Sequence, residues 1–298
     1  MRFVVTGTNG QVGWELARSL SPLGEVIALT RADLDLAQLE TIAPTLRALQ
    51  PDVLVNAAAY TAVDLAENNE ALASRVNGEA VGVLAGEAAR CGALLVHYST
   101  DYVFDGQKAA PYVETDPVAP LNAYGRSKLQ GERAIQDSSA AWLIFRTTWV
   151  YGSRGQNFLR TILRLAGERE TLRIVADQRG APTGARLIAD MTAHALRAAL
   201  VETRRGDFAS GLYHLSADGA TTWHGFASAI VERLRGMGAG RAVITKTIEA
   251  IAADDYPTAA LRPKNSLLDN TQLVERFELC RPDWRETLRT TLEEALAR

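Results

Sequence analysis

Short, continuously apolar runs alternate with helical stretches through the first half of the chain, and this alternation constrains the fold more than any other feature. Strands that are apolar on both faces are typical of a parallel sheet covered by helices on each side. The pattern predicts an α/β fold of the doubly wound, Rossmann type. The predicted strands are MRFVVTG, EVIAL, PDVLVNAAA, GALLVHYST and AWLIFRTTWV, and a helical stretch follows each of the first four.

The pattern loosens after Gly152. No Gly/Ser-rich linker separates the two halves, so we expect a cleft between two joined domains rather than a flexible tether. We predict a first domain over residues 1–150 and a smaller C-terminal α/β domain over 151–298, with elements near 171–215 shared. Its predicted strands are TLRIVAD, LYHLS and AVITKTI, and its predicted helices are NFLRTILRLAGER, GARLIADMTAHALRAAL, TWHGFASAIVERLRGMG and DWRETLRTTLEEALAR.

Composition excludes several classes of protein. A net charge of -3 and a pI near 5.9 argue against a surface built for nucleic acid or anionic lipid. The two cysteines, Cys91 and Cys280, lie far apart and outside any CxxC motif, which favours a reduced, cytoplasmic protein without a disulfide framework or a zinc cluster. We find no signal peptide and no apolar run long enough to span a bilayer.

Three glycines close the first predicted strand in the segment GTNGQVG. Gly7 permits a sharp turn, Gly10 leaves room for a diphosphate, and Gly13 lets the following helix pack closely against the strand. The start of that helix, at Gln11 and Val12, offers unpaired N–H groups to phosphate. The spacing is one residue wider than the G-x-G-x-x-G fingerprint, but its place at the first strand–helix junction predicts a dinucleotide site.

Two further segments complete the predicted cofactor site. Arg31 follows the second strand, where an acid usually bonds the adenosine ribose; it could pair with a 2′-phosphate instead, or it could be a solvated arginine. We assign Asp35 and Leu36 to the adenine side. The small residues Ala57, Ala58 and Ala59 permit close approach of a flat ring and a ribose. The predicted cofactor is NADPH, with NADH as the alternative.

The segment NAYGRSKLQG places Tyr124 and Lys128 four residues apart on a predicted helix. This spacing puts the side chains on one face, about 6 Å apart along the axis. An ammonium near a phenol would lower the pKa of the tyrosine; the alternative is a surface helix with a solvated lysine. Thr100 ends a strand shortly before, and the order Thr, then Tyr-x-x-x-Lys, is that of the short-chain dehydrogenase active site. The glycine motif favours the catalytic interpretation.

Seven stretches show which short-chain dehydrogenases the chain resembles: GTNGQVGWEL, NAAAYTAVDLAE, YSTDYVFDG, YGRSKLQGE, RTTWVYG, DQRGAPTGA and YPTAALRPKNSLLD. Over nearly its whole length the chain resembles the dTDP-4-dehydrorhamnose reductase family of the extended short-chain dehydrogenases. The family implies reduction of the C4 keto group of dTDP-4-dehydro-β-L-rhamnose to dTDP-L-rhamnose with NAD(P)H, the last step of dTDP-L-rhamnose biosynthesis, and a substrate-binding C-terminal domain.

The resemblance also implies roles for single residues. Tyr124 would give a proton to the developing C4 alkoxide, Lys128 would hold the nicotinamide ribose, and Thr100 would bond the carbonyl oxygen. Asp101 and Trp149 match positions that contact the deoxysugar, although Trp149 could instead be a core aromatic. Arg262 could meet the diphosphate of the nucleotide-sugar or form a structural ion pair.

One position departs from the family. Some members hold magnesium at a dimer contact through glutamates, including one just after APTGA, where this chain has Arg186. Glu293 and Glu294 remain as acids, but a cation in place of one ligand argues against a metal. We therefore predict no metal site. The sequence does not decide whether the chain forms a homodimer. In such a dimer Arg186 could bond Glu293 across the interface.

Two other functions remain open at this point. The substrate could be another dTDP-4-keto-6-deoxyhexose, because the sequence does not reveal how the hexose is oriented. The chain could also be a non-catalytic, cofactor-binding regulatory subunit, as the beta subunit of methionine adenosyltransferase resembles this fold. The retained Thr100, Tyr124 and Lys128 argue against the regulatory interpretation.

Overall fold

A computed structural model describes residues 1–237 and 243–297. Its strands are β1 (Arg2–Thr6), β2 (Glu25–Leu29), β3 (Val53–Asn56), β4 (Leu94–Thr100), β5 (Ala141–Thr147), β6 (Val150–Tyr151), β7 (Thr171–Val175), β8 (Arg179–Gly180), β9 (Thr183–Gly184), β10 (Gly211–His214), β11 (Thr221–Thr222) and β12 (Thr247–Ile251). Its α-helices are α1 (Gln11–Leu20), α2 (Leu39–Leu49), α3 (Val63–Ala66), α4 (Glu70–Ser74), α5 (Ala80–Cys91), α6 (Ala123–Gln136), α7 (Phe158–Ala166), α8 (Ala185–Arg205), α9 (Trp223–Met237), α10 (Thr271–Phe277) and α11 (Trp284–Leu296).

The central sheet has six parallel strands in the order β10-β5-β4-β3-β1-β2. The chain leaves β1 toward β2 on one side and returns to β3 on the other. The carboxyl ends of β1 and β3 therefore flank a topological switch point, where ligands bind in open α/β sheets. This arrangement confirms the predicted doubly wound fold.

Both faces of the sheet are covered, which explains why the strands are continuously apolar. On one face Phe3 and Val5 pack with α1 and α8. On the other face Val4 packs with residues of α2 and α5. Successive strand residues point to opposite faces, so each position of β1 from Phe3 to Thr6 is buried.

The second half contributes to the sheet as well as forming its own core. Strand β10 pairs with β5 at the edge of the sheet, and α8 covers one face. A separate apolar core around Phe226 and Trp284 joins α7, α9 and α11, next to the parallel pair of β7 and β12. The cleft lies where this smaller layer meets the ends of the central strands.

Several predicted boundaries were wrong. The strand predicted as AVITKTI is found as Thr247–Ile251, because its register follows the pairing with Thr171–Val175; its first residue and the last residue of the helix predicted before it lie outside the described residues. The helical stretch predicted between PDVLVNAAA and GALLVHYST contains a π-helical turn at Arg75–Glu79. The helix Thr271–Phe277 was not predicted. No helix within the described ranges is both long and apolar enough to cross a membrane.

Candidate active site

A cleft of about 720 Å³ opens at the carboxyl ends of β1, β3 and β4. Residues from both halves line it, including Thr100 and Tyr124 from the first and Trp223 from the second. The strand ends are brought together because parallel strands all finish at the same edge of the sheet. The cleft is large enough for a dinucleotide and part of a second ligand.

The glycine turn forms one wall of the cleft. Gly7 has a φ of +71°, and a Cβ atom there would lie 2.7 Å from the Cα of Ala58. A Cβ at Gly13 would lie 2.2 Å from the carbonyl oxygen of Gly7, so α1 can pack this closely only with glycine there. Gly10 caps the start of α1, and α1 presents its free N–H groups beside the cleft. These features fit a nucleotide diphosphate.

The other predicted cofactor residues lie along the same wall. Arg31 is exposed and forms no ion pair within the described part of the chain. The remaining residues predicted to contact the cofactor that border the cleft are Gln11, Val12, Asp35, Leu36, Ala57, Ala58 and Ala59.

Tyr124, Lys128 and Thr100 line the same cleft. Helix α6 begins at Ala123 because the side chain of Asn122 accepts a hydrogen bond from the amide of Gly125 at 2.8 Å. Tyr124 and Lys128 therefore occupy the first and second turns of α6, beside the end of β4. Thr100 ends that strand, and its hydroxyl donates to Asp101 Oδ1 at 3.2 Å.

The pKa of Tyr124 is raised, not lowered as predicted. Burial and the charge of Asp101 raise the pKa of Tyr124, and a hydrogen bond with Thr100 lowers it only in part. The Lys128 ammonium lies 3.0 Å from His97 Nε2. Helical spacing puts the tyrosine and the lysine on one face, but the partner of the ammonium comes from a strand.

Asp101 is a buried carboxyl group at the same end of the cleft, 3% exposed. Burial raises its pKa to about 7, and the nearby hydroxyls of Ser266, Thr100 and Thr148 offset this only in part. Its Oδ2 atom has no hydrogen-bond partner among the described residues. A carboxyl group that is partly protonated near neutral pH can donate as well as accept a hydrogen bond.

The comparisons with known proteins agree with this geometry. The family model described as the RmlD substrate binding domain matches residues 1–297. The chain belongs to this family.

Three relatives illustrate how close the likeness is. The protein of Burkholderia thailandensis named dTDP-4-dehydrorhamnose reductase is 58% identical over 285 residues, 96% of each chain. The protein of the same name from Escherichia coli strain K12 is 47% identical over 298 residues, 99% of this chain and 98% of that one. The crystal structure of the Bacillus anthracis dTDP-4-dehydrorhamnose reductase in complex with NADP has a TM-score of 0.88 and 32% identity, covering 98% and 99% of the two chains.

Trp149 is placed in the cleft rather than in the core. It is half-buried and has a φ of +45°, a strained conformation for a bulky residue. Its ring stacks on Trp223 with centroids 3.6 Å apart and an interplanar angle of 10°. Gly180, within the family segment DQRGAPTGA, makes room for it, since a Cβ there would lie 2.4 Å from the indole. Contact of Trp149 with the sugar remains a prediction.

Arg262 forms the ion pair that was its alternative role. Its guanidinium bonds both carboxylate oxygens of Asp64, at 2.7 and 3.1 Å. This pair ties the loop before Asn265 to α3, and Arg262 is not among the residues that line the cleft. A contact between Arg262 and the substrate diphosphate stays a prediction.

Arg186 is the residue whose positive charge led us to predict no metal site. Its guanidinium is 3.0 Å from Glu294 and 3.4 Å from Glu15 of the same chain. Glu293 instead pairs with Arg289 at 3.2 Å. Within the described residues, no cluster of three or more His, Cys, Asp or Glu side chains could hold a metal ion.

Sequence reasoning missed several residues that border the cleft. Some flank predicted positions in the same motifs and could have been included on that ground. Trp223 gave no signal, because it lies far from every motif in sequence. Asn157 also went unnoticed, although its amide donates to the side chain of Gln11 at 2.7 Å. The missed lining residues include Asn9, Thr61, Tyr98, Ser99, Tyr102, Gln156, Asn157 and Trp223.

Proposed function

We propose that this chain is a dTDP-4-dehydrorhamnose reductase, which reduces the C4 keto group of dTDP-4-dehydro-β-L-rhamnose to dTDP-L-rhamnose. The observation that carries the proposal is the meeting of Thr100, Tyr124 and Lys128 in the same cleft as the glycine turn. The names of relatives at 58% and 47% identity over almost the whole chain support the substrate. This reaction is the last step of dTDP-L-rhamnose biosynthesis, and we assign it to the cytoplasm.

The cofactor in this proposal is a nicotinamide dinucleotide, which supplies a hydride to the carbonyl carbon. The glycine turn and the start of α1 would hold its diphosphate. Ala57, Ala58 and Ala59 leave space for its rings, and Arg31 would pair with a 2′-phosphate. The likeness to the Bacillus anthracis structure in complex with NADP supports a phosphorylated cofactor.

Tyr124 is the proton donor in this mechanism. Burial keeps the pKa of its phenol above the ordinary value, so the group is protonated at neutral pH. When negative charge builds on the C4 oxygen, the phenol gives up its proton to that oxygen. The hydroxyl of Thr100 donates to Asp101 Oδ1 in this structure and would turn to the same oxygen as a second donor. Removing one such donor typically costs about 10²–10³ in rate.

Lys128 supplies the positive charge at this site. A protonated lysine would bond the nicotinamide ribose and stabilise the phenolate that remains after proton transfer. Because Lys128 is only 2% exposed, water screens its charge little. The lysine is thus suited to act on the phenolate at a distance, even though its nearest partner is His97.

The test is product analysis by NMR after incubation with dTDP-4-dehydrorhamnose and NADPH. Formation of dTDP-L-rhamnose is expected. A product with a different configuration at C4 would identify another dTDP-4-keto-6-deoxyhexose as the natural substrate. Cofactor binding without turnover of any such sugar would favour the regulatory-subunit alternative.

A further inference from the structure

A chain of buried polar side chains begins at Lys128 and runs beneath the glycine turn. Lys128 Nζ lies 3.0 Å from His97 Nε2, and His97 Nδ1 lies 3.0 Å from the amide nitrogen of Asn56. The side-chain oxygen of Asn56 is 2.7 Å from the hydroxyl of Thr6, the residue before Gly7. Each of these four residues is at most 2% exposed. The chain crosses from α6 through β4 and β3 to β1.

His97 is the closest partner of the lysine ammonium. Lys128 forms no ion pair within the part of the chain that the structure describes. Glu132, one turn further along α6, is bonded to Arg146 at 2.6 Å. A buried charge without a partner is strongly destabilising. The imidazole of His97 is therefore the group that accepts a hydrogen bond from the Lys128 ammonium.

The donors and acceptors in this chain can be aligned in two ways. An ammonium can only donate, so while Lys128 is charged His97 Nε2 must carry a lone pair and Nδ1 must carry the proton. The structure places the Asn56 nitrogen at Nδ1 and its oxygen at Thr6, so this alignment requires the amide to turn by about 180°, which exchanges two groups of similar size. Asn56 then presents its oxygen to Nδ1 and its NH₂ to the Thr6 hydroxyl oxygen. In the opposite alignment the Asn56 NH₂ donates to Nδ1, Nε2 carries the proton, and Lys128 can accept it only as a neutral amine.

We propose that His97 is a positioning residue for Lys128: held in its Nδ1–H form by Asn56, it fixes the ammonium at the cleft and keeps it charged. This proposal rests on the proposed function, because it assigns Lys128 a part in the reduction. Asn56 and Thr6 set the tautomer from the far side, as an outer hydrogen bond sets the tautomer of a metal-binding histidine.

The local electrostatics are consistent with this role. Burial lowers the pKa of Lys128 to about 8, and the charge of Glu132 offsets this in part. Burial and the charge of Lys128 hold the pKa of His97 well below its usual value, so the imidazole stays neutral and can accept. Glu132 on α6 is the charged group that acts on Lys128, and it is itself bonded to Arg146 on β5. The titratable groups that line the same cleft beside Lys128 include Tyr124 and Asp101.

The first experiment needs no turnover. We would label histidine with ¹⁵N and follow the His97 ring nitrogens from pH 6 to pH 9.5 in the wild type and in Lys128→Met. We expect a neutral ring with the proton on Nδ1 at pH 6 and a change in its signals near pH 8, and no such change in Lys128→Met. A proton on Nε2 at pH 6, or the same pH response in both proteins, would overturn the proposal. His97→Asn assigns the signals.

The second experiment compares two amide substitutions. In His97→Gln the amide can reach the place of Nε2, whereas in His97→Asn it reaches only the place of Nδ1. We expect the alkaline limb of kcat/KM to move about one unit lower in His97→Asn, with about a tenfold loss at pH 9, because one pKa unit changes the charged fraction up to tenfold at a pH above both pKa values. His97→Gln should stay within about threefold of the wild type.

The matched control is His214→Asn, since His214 is equally buried but bonds backbone carbonyls of Tyr112 and Asp269. This variant should be less stable to unfolding, but the alkaline limb of its kcat/KM profile should not move. Equal losses of kcat/KM in both His97 variants, with the alkaline limb of the pH profile unmoved, would show that His97 only packs in the core. That result would overturn the proposal. If the His97 variants do not fold, the wild-type titration still decides. An inactive wild type with the expected ¹⁵N titration would reject the proposed function while leaving the His97–Lys128 contact standing.

Discussion

Trp149 and Trp223 stack face to face across the join between the two halves of the molecule, with ring centroids 3.6 Å apart. Trp149 follows the last residues of β5, and Trp223 begins α9. The pair holds Trp149 in its strained, positive-φ conformation at the edge of the cleft. Both tryptophans line the cleft, so the flat surface of the pair forms part of the proposed sugar site.

Trp223→Ala should weaken sugar binding without weakening cofactor binding. Aromatic pairs contribute about 0.5–1.5 kcal/mol beyond their buried area, so the KM for the nucleotide-sugar should rise about tenfold. The measurement is KM for sugar and Kd for NADPH in the variant and in Trp142→Phe, a half-buried tryptophan that does not line the cleft. If Trp223→Ala weakened the binding of both the sugar and NADPH, the substitution would have disturbed the cleft as a whole and not the sugar site alone.

Tyr124→Phe should abolish reduction and leave NADPH affinity nearly intact, because it removes the proton and little else. Lys128→Ala should damage both activity and cofactor binding, since this residue is given two roles. Steady-state rates and fluorescence titration of NADPH measure the two effects. Activity above a few per cent in Tyr124→Phe would show that another group supplies the proton.

Arg31 should favour NADPH over NADH. A guanidinium can bond the 2′-phosphate, which NADH lacks. Arg31→Ala should therefore raise KM for NADPH about tenfold, as expected for the loss of one charge-assisted bond of 1.5 kcal/mol or more, and leave KM for NADH unchanged. Arg204→Ala, at an exposed position near the end of α8, is the control. An unchanged ratio of the two KM values would remove Arg31 from the cofactor site.

Turnover should not require magnesium. Arg186 places a fixed positive charge between Glu15 and Glu294, and this charge repels a divalent ion at the place where relatives supply an acid. The test is to treat the protein with EDTA and measure turnover and sedimentation. A large loss of activity restored by magnesium, or a dimer that becomes a monomer on chelation, would contradict this expectation.

Asp101 should make the protein less stable as pH rises. Burial raises its pKa from the usual 3.8 to about 7, so the folded state binds this proton more tightly than the unfolded state does. The resulting stability is fully present below about pH 4 and is lost as pH rises through about 7, with an upper limit of roughly 4 kcal/mol.

Asp101→Asn should remove this pH-dependent loss, because the amide is similar in size and carries no charge. The measurement is the free energy of unfolding in urea at pH 4.5, 6, 7.5 and 8.5. The difference between variant and wild type should grow with pH and level off above about pH 7.5. The control is Asp207→Asn, which makes the same substitution at a solvent-exposed position. A constant difference across the range would mean that Asp101 ionises freely in the fold.

The sequence by itself determined the central architecture. Continuously apolar strands between helices require a sheet buried on both faces, and the glycines of GTNGQVG require a tight turn at the end of β1. The spacing of Tyr124 and Lys128 placed both on one helix, and the position of Thr100 at a strand end placed it nearby. These features depend on local periodicity and steric limits, which short segments already contain.

Only the tertiary structure decided which groups these side chains meet. His97 reaches Lys128 because β4 lies under α6; Arg262 reaches Asp64 and Trp223 reaches Trp149 across long separations in sequence. The pKa of Tyr124 rises because the folded chain removes the phenol from water, an effect that no spacing reveals. Such contacts depend on the packing of elements distant in sequence, and burial then sets the cost of each charge.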